Sequence, residues 1–290
     1  QQRENEVRQP VAAGVSDRYV AWTDSRNGSF EIYVARQSGG TWTALGGSAS
    51  FGGVSASFAQ SRRPSVALDA GDPVVAWTEI QASGASNIRV ARWTGAVWVA
   101  MGESLDGDGI SNSGAADDAK LLMTAAGPVV VWTDRSSGAA QVHAKRFDGA
   151  NWVALGGGGV ALTSVPGGVS QVAATTDGTN VGVAWVQGSG DASEVHAMRY
   201  SGGVRVAVGD VSNTAGPSLT PTLAFLDGVL FVAWQDQTSG REEIYVRRHD
   251  GAWADAGAGS AALGGVSSTT GRAFTPQLTS GGGVLRPAWA

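Results

Sequence analysis

The sequence predicts an all-β fold that is built from one repeated unit of four short strands. Three observations indicate it: apolar runs that end in Trp, alternating apolar segments that end in Arg, and Gly-rich turns between them. The turns come at the spacing of roughly 8–12 residues that is typical of all-β proteins. No stretch has a helical period long enough to indicate an amphipathic helix.

The second strand of each unit ends in a Trp. These residues lie 49 to 55 positions apart and are Trp22, Trp77, Trp132, Trp185, Trp234 and Trp289. An earlier strand precedes most of them and opens at a proline: Pro10, Pro64, Pro221 and Pro276. We expect Ala119 and Ser170 to take the place of that proline in the third and fourth units.

The third strand of each complete unit alternates apolar residues and ends in Arg, at Arg36, Arg92, Arg146, Arg199 and Arg248. A short Gly turn then leads to a fourth strand, which carries an outer Trp at Trp42, Trp98, Trp152 and Trp253. The fourth unit has Arg205 there instead. Each unit is therefore predicted to form a small four-stranded sheet.

Such a sheet cannot bury both faces alone, and stacking on its neighbours supplies the core. Repeated four-stranded units of about 50 residues are typical of a β-propeller. We predict a propeller with six blade positions, of which five are complete four-stranded blades and the sixth is incomplete. The predicted domain is single and covers residues 1–290, with repeats at about 10–63, 64–117, 118–169, 170–219 and 220–274 and a partial repeat at 275–290.

The sixth blade has only two predicted strands, which leaves a sheet edge that proteins normally cover. The missing strands are expected to come from another chain or from sequence beyond Ala290. The predicted partner is accordingly another protein or a second copy, bound through the incomplete blade. A glycan partner is a further possibility.

Composition excludes several classes of function. The chain has no Cys and three His, which excludes disulfide scaffolds and thiolate metal sites and leaves little for a His-rich centre. A net charge of -5 argues against nucleic-acid binding. The apolar runs are strand-sized, so no membrane span is predicted. The polar start lacks the apolar core of a signal peptide; we expect an extracellular or cell-surface protein whose signal has been removed.

The repeated pattern resembles a repeat of secreted and surface propeller proteins of bacteria, and is distantly similar to sialidases. The stretches that carry it are residues 146–156, from Arg146 through Trp152 to Leu155-Gly156, and residues 41–46 around Trp42. The resemblance implies a propeller fold over residues 10–290. A sialidase Asp-box would need an Asp in the turn before Trp42, where Ser38-Gly39-Gly40 stands. The resemblance thus bears on fold more than on function.

The recurring Arg residues allow two interpretations. A ring of guanidinium groups could bind acidic glycans. Alternatively, each Arg pairs with the acid after the Trp strand, at Asp24, Glu79, Asp134 or Asp236, although the fourth unit has Gln187 there. We prefer the pairing, because a catalytic group of residues should break the repeat.

Other candidate sites depart from the repeat. Asp106 and Asp108, with Asp117-Asp118, could hold calcium, or could form a solvated acidic loop. Ligand contacts are predicted for Trp93, Arg62, Arg63 and Arg272; the alternative for Trp93 is a packed aromatic. His143 and His196 occupy matching strand positions and are expected to pack. Apart from calcium, no cofactor is predicted.

These features favour a non-enzymatic extracellular module that binds or assembles proteins or glycans, and the chain is expected not to be an enzyme. The alternative is a sialidase-like, glycan-active enzyme with its site at one mouth of the channel. The two differ in symmetry, because an enzyme requires a cluster of unlike polar residues at positions that are otherwise equivalent.

Overall fold

The computed structural model describes residues 7–13, 17–49, 52–155, 160–202, 204–262, 264–268 and 270–290. In these ranges the protein is all-β, and its only helices are the short 3-10 turns Gly46–Ala49 and Gly190–Ala192. Twenty-two strands form five four-stranded sheets and one two-stranded sheet, and every strand pair that the structure defines is antiparallel. The expected all-β class is confirmed, and the four-stranded sheets are consistent with propeller blades.

Chain order and sheet order coincide in every sheet, because consecutive strands pair. Sheet one holds β1 (Val7–Ala13), β2 (Asp17–Asp24), β3 (Glu31–Ser38) and β4 (Thr41–Ala44). Sheet two holds β5 (Gln60–Asp69), β6 (Asp72–Ile80), β7 (Ser86–Trp93) and β8 (Trp98–Ala100). Sheet three holds β9 (Ala116–Thr124), β10 (Gly127–Asp134), β11 (Gln141–Phe147) and β12 (Trp152–Ala154).

The second half of the chain repeats this order. Sheet four holds β13 (Val169–Thr176), β14 (Val181–Gln187), β15 (Glu194–Ser201) and β16 (Val204–Asp210). Sheet five holds β17 (Ser218–Leu226), β18 (Val229–Asp236), β19 (Glu243–His249) and β20 (Trp253–Asp255). Sheet six consists of β21 (Gln277–Gly281) and β22 (Val284–Ala288).

The chain divides into two compact units, each with its own packed sheets. The first unit contains sheets one to three except for the start of β11, and the second contains that start and sheets four to six. Within the first unit, Val75 and Trp77 of sheet two pack with Ile32 and Val34 of sheet one. On the other side of sheet two, Ile88 packs in a cluster with sheet three. The second unit has equivalent cores between sheets four and five and between sheets five and six.

In sheets two to five the second strand is largely buried on both faces, which explains its uninterrupted apolar sequence. Trp77, Trp132 and Trp234 are fully buried. Each Trp of the second strand lies next to a residue of the third strand that differs between sheets: Trp22 stacks on Tyr33, and Trp132 and Trp185 pack on His143 and His196. These two His residues thus have aromatic contacts inside their sheets.

A buried polar contact recurs at the start of the third strand in all five four-stranded sheets. A hydroxyl in the loop that leaves the sheet donates to a side chain in the first two residues of that strand and accepts from the next backbone N–H. We call this contact the hydroxyl clasp. Its pairs are Ser55 with Glu31, Ser111 with Asn87, Thr163 with Gln141, Ser212 with Glu194 and Ser267 with Glu243. The accepting N–H bonds belong to Ile32, Ile88, Val142, Val195 and Ile244.

The clasp fixes the loop against its own sheet before the chain enters the next one. In sheets one, two and five, a glycine next to the clasp makes this close approach possible. A Cβ on Gly265 would lie 2.1 Å from the Ile244 carbonyl oxygen, and its φ of +60° also disfavours other residues. Gly53 and Gly109 have the same geometry against Ile32 and Ile88.

Two details of the predicted register are corrected by the structure. The first strand of sheet two begins at Gln60, ahead of the expected start at Pro64, because Pro64 lies inside the strand. In sheet four, the equivalent of Pro64 is Val172 rather than Ser170, since the register shifts between Arg62 and Ser65 in one sheet and between Ser170 and Ala173 in the other. Among the described residues, no helix is long and apolar enough to span a membrane.

We predict that Ser267→Ala lowers the free energy of unfolding by about 2–3 kcal/mol, because the fully buried Glu243 carboxylate and the Ile244 N–H both lose a partner. Urea titration followed by circular dichroism measures the change. The control is Ser280→Ala, since Ser280 is exposed. Equal stabilities of the two variants would contradict a stabilising role of the clasp.

Candidate active site

The first strand of each four-stranded sheet contains an irregularity at one position. Its pairing with the second strand shifts register between Arg62 and Ser65 in β5, and the same shift occurs in the first strands of the other four-stranded sheets. Such a shift is a β-bulge, in which one extra residue bends the strand and redirects a side chain. Bulges are frequent next to active sites.

Non-glycine residues occupy this bulge in the left-handed backbone conformation, which has a positive φ. The residues and their φ angles are Arg63 (55°), Asp118 (61°), Gln171 (50°), Thr220 (49°) and, just before β21, Thr275 (47°). A non-glycine residue in this region costs of order 1–3 kcal/mol, and such residues are concentrated at functional sites. The strain occurs at one equivalent position in each of these sheets, and every residue that carries it is polar.

The identity of the bulge residues breaks the repeat. Sheet two places Arg62-Arg63 there and sheet three places Asp117-Asp118, whereas sheet four has Ser170-Gln171. The Trp of the second strand and the Arg of the third strand, by contrast, are the same in all five four-stranded sheets. Unlike polar side chains at equivalent positions are what an enzyme site requires. The periodicity of the sequence alone did not locate these residues.

In the first unit, the bulges of sheets two and three form a charged group of residues. Arg63 Nη1 donates to Asp117 Oδ2 at 2.9 Å. Asp117 Oδ1 accepts from the Thr78 hydroxyl at 3.2 Å and from the Asp118 N–H at 2.8 Å. Lys120 Nζ lies 2.8 Å from Asp118 Oδ1. We call Arg63, Thr78, Asp117, Asp118 and Lys120 the inner-strand cluster.

The carboxylates of the cluster are accessible to a ligand. The side chains of Asp117 and Arg63 are each 40% exposed, and those of Asp118 and Lys120 are 22% and 24% exposed. Thr78, by contrast, is almost fully buried, so its hydroxyl anchors Asp117 from beneath. The geometry therefore presents two neighbouring carboxylates on one strand, each beside a cation.

Arg62 extends this site towards aromatic residues. Its guanidinium carbon lies 3.9 Å from the centre of the Phe30 ring, a cation–π contact, and Nη2 donates to Gln60 at 3.1 Å. The buried Nε of Arg62 has no hydrogen-bond partner. Phe58, a few residues before Arg62, is fully exposed to solvent. An exposed aromatic ring is a surface on which a sugar ring can stack.

The predicted pairing of the recurring Arg residues with the acids after the Trp strand is wrong. Arg36 donates through Nε to Asp17 at 3.0 Å, and Arg92 lies 3.3 Å from Asp69. The antiparallel register explains the difference. Arg36 is opposite Tyr19 near the start of β2, whereas Asp24 is opposite Glu31 at the other end.

The other three Arg residues also bind groups close to them in their own sheets. Arg146 donates to the Ala126 carbonyl at 2.7 Å, and Arg199 donates to the Asn180 side chain at 3.1 Å. Arg248 lies 3.9 Å from Asp250. None of the five therefore reaches the acid that follows the Trp strand, and each takes part in a contact within its own sheet.

The acids after the Trp strand bind other partners than the recurring Arg residues. Asp134 accepts from the Trp132 indole at 3.2 Å and from the Ser113 hydroxyl at 2.5 Å, and Asp236 accepts from Trp234 at 2.9 Å. In sheet two, the longer Glu79 binds Arg89 instead, at 3.0 Å. The Trp77 indole and the Ser61 hydroxyl consequently have no partner although both are buried.

The candidate calcium ligands do not form a common site with Asp117 and Asp118 in the described contacts. The Asp106 carbonyl accepts from Arg89 at 2.9 Å, and the Asp108 carboxylate accepts from Asn87 at 3.3 Å. The Arg89 guanidinium thus binds the backbone of this loop, through the carbonyls of Asp106 and Gly107. Within the described ranges, no three His, Asp or Glu residues are grouped so that they could hold a metal ion.

Two other residues that were predicted to contact a ligand lie outside the inner-strand cluster. Trp93 is 9% exposed and packs on Trp98 with ring centres 5.5 Å apart, so the structure buries the ring on which a sugar was expected to stack. Arg272 belongs to the second unit, where it donates to Glu242 at 2.6 Å. This hydrogen bond lowers the pKa of Glu242 below its usual value.

Searches against known proteins bear on the fold. No protein-family model matches the chain, and no curated protein matches its sequence. Among solved structures, an alpha-L-arabinofuranosidase from Fusarium graminearum with an iminosugar inhibitor is 13% identical, with a TM-score of 0.55; the match covers 94% of this chain and 83% of that one.

Two further solved structures are similar to a lesser degree. A thermostable family-43 glycoside hydrolase has 12% identity, 87% and 93% coverage of this chain and of that one, and a TM-score of 0.48. A glycoside hydrolase has 13% identity and a TM-score of 0.43; the match covers 91% of this chain and spans 63% of the length of that protein.

These matches correct the functional interpretation. The expectation of a non-enzymatic binding or assembly module is contradicted, as is the expectation that the chain is not an enzyme, because the solved structure with a TM-score of 0.55 is that of an enzyme, an alpha-L-arabinofuranosidase. At these identities the likeness establishes the fold alone. The site that an activity would use must therefore be argued from this chain's own residues.

One prediction concerns acid stability. Burial alone would raise the pKa of Asp134, but hydrogen bonds from Ser113, Ser136 and Trp132 outweigh it and hold the pKa below its ordinary value. The stabilisation is therefore complete above the unfolded-state pKa of about 4 and is lost as the pH falls through the folded-state pKa.

Asp134→Asn should accordingly lower the free energy of unfolding by about 1–3 kcal/mol at neutral pH, and the difference from wild type should shrink below about pH 4. Urea titrations between about pH 7 and pH 3 measure it. Asp250→Asn is the control, since its side chain is 70% exposed. A difference that stays constant with pH would contradict the assignment.

Proposed function

We propose that the chain is a glycan-active enzyme that hydrolyses a glycosidic bond at the inner-strand cluster. The observation that carries this proposal is the pair of neighbouring, solvent-accessible carboxylates, Asp117 and Asp118, at a strained bulge that breaks the repeat. Glycosidases of most families use two carboxyl groups, one on each side of the scissile bond.

The contacts of the two carboxylates suggest different roles. Asp117 accepts hydrogen bonds from Arg63, Thr78 and the Asp118 N–H, and three donors hold its carboxylate in a fixed orientation. Such a preorganised carboxylate suits a nucleophile or a general base. Asp118 is the second carboxyl group of the proposed pair. Lys120 lies beside it and can donate a hydrogen bond to a sugar hydroxyl.

The aromatic residues nearby fit a sugar substrate. Phe30 lies under the Arg62 guanidinium, and Phe58 offers a fully exposed ring on the loop before β5. A sugar has an apolar face that stacks on such rings while its hydroxyls bind charged groups. The first unit thus holds the carboxylates and cations of the cluster and also an exposed aromatic ring.

The proposal includes the complete architecture. The sheets are the blades of a propeller with six blade positions, the last of them incomplete, and their first strands line the channel. Likeness to the fungal arabinofuranosidase structure supports a propeller but leaves the number and closure of the blades to be tested. A site on the first strands then lies at the channel, where propellers and other barrels hold ligands. As part of this proposal, the enzyme acts on glycans that are extracellular or lie on the cell surface.

We predict that Asp117→Asn and Asp118→Asn each lower kcat/KM roughly hundred- to ten-thousand-fold, because each removes one carboxyl group from the reaction. A panel of aryl glycosides and polysaccharides, assayed for released sugar, identifies a substrate for the wild type. The same assay then measures the variants, and thermal unfolding shows whether they fold.

Asp250→Asn is the matched control, because it makes the same chemical change at a carboxylate that is 70% exposed and outside the cluster. Its activity should equal that of the wild type. The proposal fails if no glycan in the panel is hydrolysed, or if both cluster variants keep full activity.

A further inference from the structure

Arg62 is a cation of the first unit that has no acidic partner among the described contacts. Arg63 and Lys120 of the inner-strand cluster, by contrast, each pair with an aspartate, at 2.9 and 2.8 Å. In the part of the chain that the structure describes, the one hydrogen bond of the Arg62 side chain is that to Gln60, at 3.1 Å. A guanidinium group has five N–H donors, so most of those of Arg62 are left for another acceptor.

Contacts within the first unit hold the Arg62 guanidinium in place. Its central carbon lies 3.9 Å from the centre of the Phe30 ring, and the backbone N–H of Ser61 donates to the Phe30 carbonyl at 2.7 Å. The Gln60 oxygen accepts from Arg62 Nη2, so the nitrogen of the same amide presents two further N–H donors beside the guanidinium. Because these contacts orient the donors in advance, a ligand would require little further ordering of the protein.

The pairing of β5 with β6 places Arg62 beside the inner-strand cluster. Arg62 is directly opposite Thr78, a member of the cluster, and directly precedes Arg63. Opposite residues of antiparallel strands have Cβ atoms roughly 5 Å apart. Arg62 therefore lies within the length of a few sugar units from the carboxylates that the proposed reaction uses.

The repeated architecture does not require a cation at this position. Arg62 is opposite the residue that follows the Trp of β6, and the equivalent residues in sheets three to five are Asp117, Ser170 and Leu219. The two cations and two carboxylates of the cluster cancel, so Arg62 brings the local net charge to +1 in a chain whose net charge is -5. An unpaired cation in an acidic protein, at a position where the repeat is broken, is explained by an anionic ligand.

We propose that the glycan hydrolysed at the inner-strand cluster is an acidic polysaccharide, and that Arg62 binds an anionic group of it, a carboxylate or a sulfate. This inference rests on the proposed function, for which it names the class of substrate. A guanidinium group binds the oxygens of such anions in pairs, and the Gln60 amide can add a further hydrogen bond. A neutral sugar would leave the charge of Arg62 without a partner.

Calorimetric titration with oligosaccharides tests the anion site without relying on hydrolysis. Oligosaccharides of alginate and polygalacturonate carry carboxylates, those of carrageenan carry sulfates, and those of galactan and arabinan are uncharged. We expect the wild type to bind an acidic oligosaccharide at least roughly tenfold more tightly than a neutral one of equal length. The affinity should fall as the salt concentration rises. The preference between carboxylated and sulfated oligosaccharides identifies the anionic group.

Arg62→Gln should weaken the binding of the acidic oligosaccharide roughly ten- to hundred-fold, because hydrogen bonds to a charged group are lost. Arg62→Lys should restore part of the affinity, since it keeps the charge but not the paired donors. In the hydrolysis assay, Arg62→Gln should raise KM for the acidic glycan with little change in kcat, as expected when a residue binds substrate and transition state equally.

Arg135→Gln is the matched control, because it makes the same change at an exposed arginine of the first unit that lies outside the cluster. It should bind the acidic oligosaccharide as the wild type does. Circular dichroism shows whether each variant folds. If Arg62→Gln does not fold, the preference of the wild type for acidic over neutral oligosaccharides carries the test.

Equal affinities of the wild type for acidic and neutral oligosaccharides overturn the inference, as does an Arg62→Gln variant that binds acidic oligosaccharides as tightly as the wild type. Failure of the proposed function has a different result: acidic oligosaccharides bind through Arg62, but no glycan is hydrolysed. If the wild type hydrolyses neutral glycans and binds no acidic one, the proposed function stands and the inference about its substrate is wrong.

Discussion

The rest of the structure depends on the hydroxyl clasp at the start of each third strand. A buried carboxylate or amide, such as Glu31 or Asn87, would be costly without a partner, and the serine that satisfies it lies in the loop leading to the next sheet. The same serine accepts the following backbone N–H. One hydroxyl thus completes the sheet and sets where the next first strand begins.

The position of that first strand determines which side chains meet in the inner-strand cluster. Its bulge is strained, and strained residues persist only where their surroundings hold them. The Asp118 N–H is held by both Thr78 and Asp117, and in the second unit the Thr220 N–H is held by Gln171 at 2.5 Å. Thr78 and Gln171 each belong to the preceding sheet, so sheet packing supports the geometry of the strained residues.

The sequence predicted most of the architecture because strand periodicity is local. The strands that contain Trp22 and Trp77 lie where the pattern placed them, although they run two and three residues past the Trp at which they were predicted to end. Side-chain partners were harder to predict, since they depend on which ends of antiparallel strands meet. The predicted partner of Arg36 was Asp24, whereas the observed register brings Arg36 to Asp17.

The cluster itself shows why a site can escape sequence reasoning. Asp117 and Asp118 were considered with Asp106 and Asp108 as an acidic loop, because all four are close in sequence. The bulge instead brings Asp117 to Arg63, 54 positions away. A one-residue shift within a strand has no signature in the pattern of apolar residues. Only an alignment of the units by the bulge would have revealed that unlike polar residues share one position.

The single methylene that separates Glu79 from Asp134 has a consequence for the modularity of the chain. In sheet three the shorter acid binds its own indole, whereas in sheet two the longer one binds Arg89 and leaves Trp77 without a partner. A third strand exchanged between these sheets would bring Arg89 to an Asp already engaged, or deprive Glu79 of its cation. Despite their common pattern, the sheets are therefore not interchangeable. Recombination between units would lower the stability of the protein wherever it separated side chains that bind each other within one sheet.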